Sequence, residues 1–382
     1  MKWNIFRKLQ LFGDDGKRHV IHREPKKILQ SADPWLVVSI LALSIFGVLM
    51  VYDSSVAIAL RDFGDQYYYV KEQVKWFIAG LAAFIVFSKI PYTVWRKYAL
   101  HLLVLTLILL MAVFIPGAGI RAYGAHRWIN FGFFVMQPAE FAKLTMIFYL
   151  SAWFTHPEKS RFLSFLLLLG MVVGLVMLEP DLGTSSIILS IALLLYFYSG
   201  APIRHFMFMV PLLLAAVLVL AVIAPYRMQR ITTFINRQSD PLGASYHIRQ
   251  VLLGLGSGGL TGVGIGRSRQ KYEYLPEANT DSIFAIIGEE TGFLGAMLVM
   301  SLYISIIWRG YAIAMAARDV FGRLLALGIS SWVAVQTMIN LSAMVALIPL
   351  TGVPLPFISY GGSSFIILLS AMGIVLNISK HK

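Results

Sequence analysis

The chain has 382 residues, 58% of them hydrophobic and 13% charged, with a mean hydropathy of +0.73; a soluble domain carries roughly a quarter charged residues. That balance assigns it to a lipid bilayer, and the absence of cysteine excludes a disulfide framework, a thiolate metal site and a cysteine nucleophile. A net charge of +13 would suit nucleic acid only as one soluble patch. The basic residues are instead parcelled out between apolar runs, so nucleic acid is not an expected partner.

Residues 1–33 form a basic segment carrying Lys2, Arg7, Lys8, Lys17, Arg18, Arg23, Lys26 and Lys27. Beyond them, residues 34–382 read as a single all-α polytopic membrane domain. A bilayer core of ~30 Å needs about 20 apolar residues of helix. Runs of that kind lie at 34–52, 73–89, 98–116, 138–154, 162–178, 183–199, 206–225, 282–308, 322–348 and 362–378, which makes about ten spans. Helix is required because lipid offers the backbone no hydrogen-bond partners, and the alternation of a barrel is missing. The first span is too long for a signal-peptide core and is expected to remain as an anchor. Basic residues recur in alternate short loops: Lys89, Arg96 and Lys97; Lys159 and Arg161; Arg204; Arg309, Arg318 and Arg323; Lys380 and Lys382. The positive-inside rule places these loops and both termini in the cytoplasm.

Taken in chain order, the polar residues of the opposite side begin with GAHRWIN, which sets Arg127 beside Trp128. QPAEFAKL follows, with Pro138 suited to a first helical turn and Glu140 and Lys143 on one helix face; a snorkelling ion pair is the modest reading. EPDLGTS adds Glu179 and Asp181 where acids cap a helix. Residues 226–281 form a long extracytoplasmic loop between helices 7 and 8, with Arg227, Arg230, Arg237, Arg249, Arg267, Arg269 and Lys271. Within it SYHIRQVLLGLG suits a short amphipathic helix. The glycine run GLGSGGLTGVGIG holds a formal G-x-G-x-x-G but no βαβ unit, so it reads as a tightly turning loop rather than a dinucleotide site.

YLPEANTDSIFAIIGEETGFLG gathers Glu277, Asp281, Glu289 and Glu290 around one apolar segment, in a chain with only 19 acidic residues. Asp281 suits a helix N-cap, which is compatible with chemistry at the membrane edge. Glu289 and Glu290 lie about two turns into the span, where a charge costs at least ~2.5–3.5 kcal/mol and needs a cavity or partner. A buried pair with a basic residue, a protonated carboxyl and a proton-coupling role are the readings open for them. GVPLPFISYGGSS, uncharged and rich in Pro and Gly, predicts a re-entrant turn covered by protein. One carboxylate among several cations suggests an anionic, phosphorylated substrate rather than hydrolysis.

On HRWI with QPAEFAK, PDLGT, RITTF with DPLGASY, GSGG, YLPEANTD with GEETG, and PLPFISYGGSS, the chain resembles the SEDS family of peptidoglycan glycosyltransferases, the FtsW and RodA proteins. PEA before Asn-Thr-Asp is closer to the FtsW division branch. The resemblance implies an enzyme of the bacterial cytoplasmic membrane that polymerises lipid II into β-1,4 glycan strands at the outer face and releases undecaprenyl diphosphate. It implies Asp281 as the catalytic residue. It implies a substrate-binding set of Arg127, Glu140, Lys143, Arg227, Arg230, Glu277, Thr280, Ser359 and Ser363. A divalent metal, Mg2+ or Mn2+, held by Asp281 is a competing role for that residue, and no organic cofactor is expected. Implied partners are lipid II, membrane lipid, a class B penicillin-binding transpeptidase and divisome proteins. The sequence departs from the family pattern at Asn279 (His commoner), Ser282 (Phe), Glu179 (Gln) and His247 (Gln). A lipid II flippase using the buried glutamates for proton coupling is the main rival reading, and a non-enzymatic division scaffold is a second.

Overall fold

A computed structural model describes residues 32–117, 119–122, 125–132, 134–156, 161–223, 234, 244–272 and 274–381. Most of the basic N-terminal segment, and Arg227, Arg230 and Arg237 of the long loop, lie outside the described residues. The described chain is mostly helical. Its helices are α1 (Pro34–Phe63), α2 (Tyr68–Lys89), α3 (Thr93–Ala112), α4 (Pro138–Trp153), α5 (Phe162–Leu178), α6 (Leu182–Tyr198), α7 (Ile203–Ile223), α8 (Ala244–Ser257), α9 (Ile283–Met315), α10 (Val320–Met344) and α11 (Gly362–Ser379). Each expected span overlaps one of them, and the amphipathic stretch in the long loop is α8. Among the described residues five helices, α1, α3, α9, α10 and α11, are long and apolar enough to cross a bilayer.

The all-α expectation needs one correction. Between α3 and α4 the chain forms an antiparallel sheet of β1 (Gly119–Ala122), β2 (Ala125–Asn130) and β3 (Val135–Met136), in the order β1-β2-β3. Ile120 pairs with Trp128, and Ile129 with Met136. Strands this short lack a hydropathy signal of their own, and pairing with one another supplies their hydrogen bonds.

Small residues let the helices close on one another. A Cβ on Gly373 of α11 would stand 2.5 Å from Phe84 O of α2, and one on Gly310 of α9 would stand 2.1 Å from Ser330 Oγ of α10. Polar staples fix one end of the bundle. Asp33 caps α1 through Leu36 N at 3.1 Å and accepts from Arg309 Nε of α9 at 3.0 Å. Its own N–H donates to Ser379 Oγ at the end of α11, at 3.3 Å. Tyr92 OH donates to Asp319 Oδ1 at 2.5 Å, and Asp319 caps α10.

α9 is not one rod. Gly292 has φ 65° and ψ −165°, which divides the helix into a short arm, 283–291, and a longer stretch beyond. The glycine run of 258–264 supplies the backbone partners lost at the break. Phe293 and Leu294 N–H donate to Gly259 O (2.9 Å) and Leu260 O (3.1 Å), and Val263 and Gly264 N–H donate to Glu289 O (3.0 Å) and Glu290 O (3.1 Å). Only glycine fits so close an approach: a Cβ on Gly262, at φ +82°, would be 2.0 Å from Glu290 O.

Glu289 and Glu290 hold the next stretch of loop. Glu290 accepts from Gly266 and Ser268 N–H, both at 3.0 Å, and from Lys271 Nζ at 3.2 Å. Glu289 accepts from Arg269 N–H at 3.0 Å and from Ser268 Oγ. Lys271 also reaches Asp53 of α1 at 2.8 Å. Glu290 thus adopts the buried pair with a basic residue, while Glu289 is held by backbone N–H groups and a serine hydroxyl.

Candidate active site

The elements above leave a cavity of about 840 Å³ at the end of the bundle remote from Asp33 and Arg309. Side chains from α2, β2, α4, α6 and α8 line it, together with residues 277–281 and 350–364. Four helices begin at its wall: α4 after Gln137, α6 after Asp181, α9 after Ser282 and α11 after Gly361. Their aligned peptide dipoles turn positive ends to this wall, which favours an anion there, although Asp181 already takes the Thr184 N–H of α6.

Asp281 sits at the wall, 8% exposed. Its turn is built locally: Thr280 and Ser282 N–H both donate to Glu277 O at 3.2 Å, with Glu277 at φ +51°. Three clamps hold the turn from outside. Asn340 of α10 donates to Asp281 O (2.7 Å) and to Val353 O (2.8 Å). Ser359 Oγ donates to Thr280 O at 2.5 Å, and Tyr360 N–H donates to Asn279 O at 2.9 Å. The expected N-cap role of Asp281 is not adopted. Ser282 occupies the cap position, and no side chain makes a capping bond there.

Glu140 reaches the cavity from the first turn of α4. Lys143 does not: it lies behind Glu140, 2.8 Å from its carboxylate and 1% exposed. Its ammonium donates to Gln336 Oε1 at 3.1 Å and rests 4.9 Å from the centre of the Trp332 ring. The snorkelling pair expected from sequence is therefore a buried one, whose lysine holds the glutamate in place. Arg127 lines the cavity from β2 and donates from Nε to Glu179 O (3.0 Å) and from Nη2 to Pro180 O (2.5 Å). Asp181 caps α6 through Thr184 N–H at 2.9 Å and accepts from Gln137 Nε2 at 3.0 Å.

Of the residues expected from sequence, Arg127, Glu140, Glu277, Thr280, Asp281 and Ser363 line the cavity together. Lys143 and Ser359 stand behind the wall and brace it, while Arg227 and Arg230 lie outside the described residues. Glu72, Trp76, Tyr360 and His247 also line it. Sequence reasoning passed over the first three, and His247 was marked only by its departure from the family pattern. The described lining is more acidic than expected. Glu72, Glu140, Asp181, Glu277 and Asp281 share it with one guanidinium, Arg127. Among the described residues no three His, Asp or Glu side chains converge as a metal-ligand set.

The family model described as cell cycle protein, covering FtsW, RodA and SpoVE, matches residues 34–382. Stage V sporulation protein E of Bacillus subtilis is 41% identical over 357 residues, covering 92% of this chain and 98% of that protein. The probable peptidoglycan glycosyltransferase FtsW of Geobacter metallireducens is 38% identical over 361 residues, covering 93% and 96%. A chain of a peptidoglycan synthase complex that coordinates polymerization and crosslinking superposes with a TM-score of 0.75 at 27% identity, covering 91% of this chain and 98% of that one. The rod shape determining protein RodA of Thermus thermophilus superposes with a TM-score of 0.68 at 26% identity, covering 91% and 97%.

Proposed function

Because the chain belongs to the FtsW, RodA and SpoVE family, we infer that this multi-pass membrane protein is a peptidoglycan glycosyltransferase that polymerises lipid II. The observation that carries the reading is Asp281 clamped at the wall of an 840 Å³ cavity onto which four helix N-termini open.

Asp281 acts as general base. It takes the proton of the acceptor sugar's 4-hydroxyl as that oxygen attacks the donor's anomeric carbon. The bond from that carbon to the lipid diphosphate breaks, and the diphosphate departs with the electron pair. A glycosidase needs a second carboxyl to protonate its poor leaving group; a diphosphate needs only its growing charge met. Arg127 is placed for this, since two of its five N–H donors are engaged with backbone carbonyls and the others remain for the cavity. The helix N-termini supply the rest of the favourable field, aided by Arg227 and Arg230 of the long loop.

The cavity faces the outer side of the bacterial cytoplasmic membrane in this reading, with about ten spans and both termini inside. Lys89, Arg96, Arg161, Arg204, Arg309, Arg318, Arg323 and Lys380 all belong to the opposite connections, as the positive-inside rule requires. The FtsW-named relatives favour the division branch. The synthase-complex neighbour, which couples polymerization to crosslinking, supports a transpeptidase partner of the class B penicillin-binding type. A flippase is disfavoured because Glu289 and Glu290 are engaged in anchoring the loop.

The test is purified protein with lipid II and gel analysis of glycan. Asp281→Asn is expected to abolish polymer with folding intact; polymer made at the wild-type rate would remove Asp281 from the mechanism. Lipid II movement across vesicles that depends on Glu289 would instead favour the transporter.

A further inference from the structure

We propose that His247 and Ser282 form a hydrogen-bonded relay that orients the Asp281 carboxylate, which makes both of them positioning residues for glycan polymerisation. The proposal rests on the reading of Asp281 as the base.

His247 Nε2 lies 2.6 Å from Ser282 Oγ, and Ser282 Oγ donates to Asp281 Oδ1 at 3.4 Å. A hydroxyl has one proton. With that proton aimed at the carboxylate, Ser282 Oγ must accept from His247, which fixes the hydrogen on Nε2. The chain of donation therefore runs one way, from imidazole through hydroxyl to carboxylate. Ser282 is fully buried, so water does not compete for its hydroxyl, and His247 sits on the cavity wall.

The relay crosses between two elements. Ile248 and Val251 bury the inner face of α8, and Gly254, further along, would bring a Cβ within 3.5 Å of Ala285 O in the first turns of α9. That packing carries His247 to the start of α9. Ser282 is meanwhile held by its own N–H on Glu277 O at 3.2 Å. A carboxylate at a turn has rotational freedom about χ1 and χ2, and as a base it works only when one oxygen faces the acceptor hydroxyl. A donor on Oδ1 holds that oxygen to the helix side and so helps set which oxygen meets the acceptor hydroxyl. If the contact served only to fasten α8 to α9, its loss would lower stability and leave turnover per folded molecule alone.

Rates at varied lipid II concentration and thermal melts are measured on the full chain for Asp281→Asn, His247→Ala, His247→Gln, Ser282→Ala and the double variant His247→Ala/Ser282→Ala. Loss of one orienting hydrogen bond should lower kcat about 3- to 10-fold in each Ala variant with little change in apparent KM. The double variant should be no slower than the slower single one, because the two residues act as one unit. His247→Gln, whose amide can donate from the same place, should recover most of the rate. Wild-type kcat in both Ala variants, with Asp281→Asn inactive, would overturn the relay and leave the base in place. Multiplying losses in the double variant, or no recovery with Gln, would also overturn it. An active Asp281→Asn would remove the base, and the relay with it.

Discussion

Glu179 is closed off from solvent beside Asp181 and Arg127, and neither of its carboxylate oxygens has a hydrogen-bond partner among the described residues. Burial first, and then the negative charge of Asp181, push its pKa from 4.5 to about 9, against the pull of Arg127. The carboxyl is therefore neutral at pH 7. Between 4.5 and about 9 the folded chain keeps a proton that the unfolded chain has released. Stability accordingly falls across that window and levels off above it. Glu179→Gln is neutral at every pH, so its melting temperature in detergent should stay flatter than the parent's over this range and exceed it at the alkaline end. Melts in matched buffers decide this, and an undiminished fall in the variant would assign the slope to other groups. Much at this scale was legible from type and place: Arg127, Glu140, Glu277 and Asp281 stood out as charges beside apolar runs. Glu72, Trp76 and Tyr360 did not, because lining a cavity depends on which distant helices meet. Lys143 showed its charge in the sequence, but its burial under Trp332 comes from the packing of α4 against α10.

Among elements, α9 shows where hydropathy reading stops. Its apolar residues resume beyond Gly292, so the sequence reads as one span; Glu289, Glu290 and Thr291 interrupt the run just before the break, but their polarity alone does not distinguish a broken helix from a buried ion pair. The sheet at 119–136 escaped for a related reason, being three short strands that bury little surface. The pairing of the glycine run with the broken turn makes a sharp prediction. Gly262→Ala places a methyl 2.0 Å from Glu290 O at a φ that L-residues rarely adopt. It should cost about 2–4 kcal/mol, seen as a lower melting temperature and a smaller folded fraction on size exclusion. Gly256→Ala, in α8 with no atom within 4 Å of the new Cβ, should be neutral or stabilising by up to ~1 kcal/mol. Equal losses in the two would mean that the close approach does not matter.

At the scale of the whole molecule, the bundle has a stapled end and a hollow end. Arg309→Met leaves Asp33 buried without its guanidinium and weakens the joint among α1, α9 and α11. With the Arg309 side chain 33% exposed, the loss should be about 1–3 kcal/mol rather than the 3–5 kcal/mol of a fully buried pair. Polymerisation per folded molecule should be unchanged, because Arg309 lies about 25 Å beyond the Gly292 break along α9. A melt paired with the lipid II assay separates the two effects. A loss of rate as large as the loss of fold would mean that the two ends communicate.

The Gly292 interruption has a mechanical meaning. The turn bearing Asp281 is suspended from the loop that follows α8: its nine-residue arm hangs through the Glu289 and Glu290 carbonyls on the N–H groups of Val263 and Gly264, and through the Glu290 carboxylate on Lys271, which bridges to α1. The rod below the break lacks a continuous ladder through which to push it. A force applied to residues 258–272 therefore reaches the arm that carries the carboxylate directly.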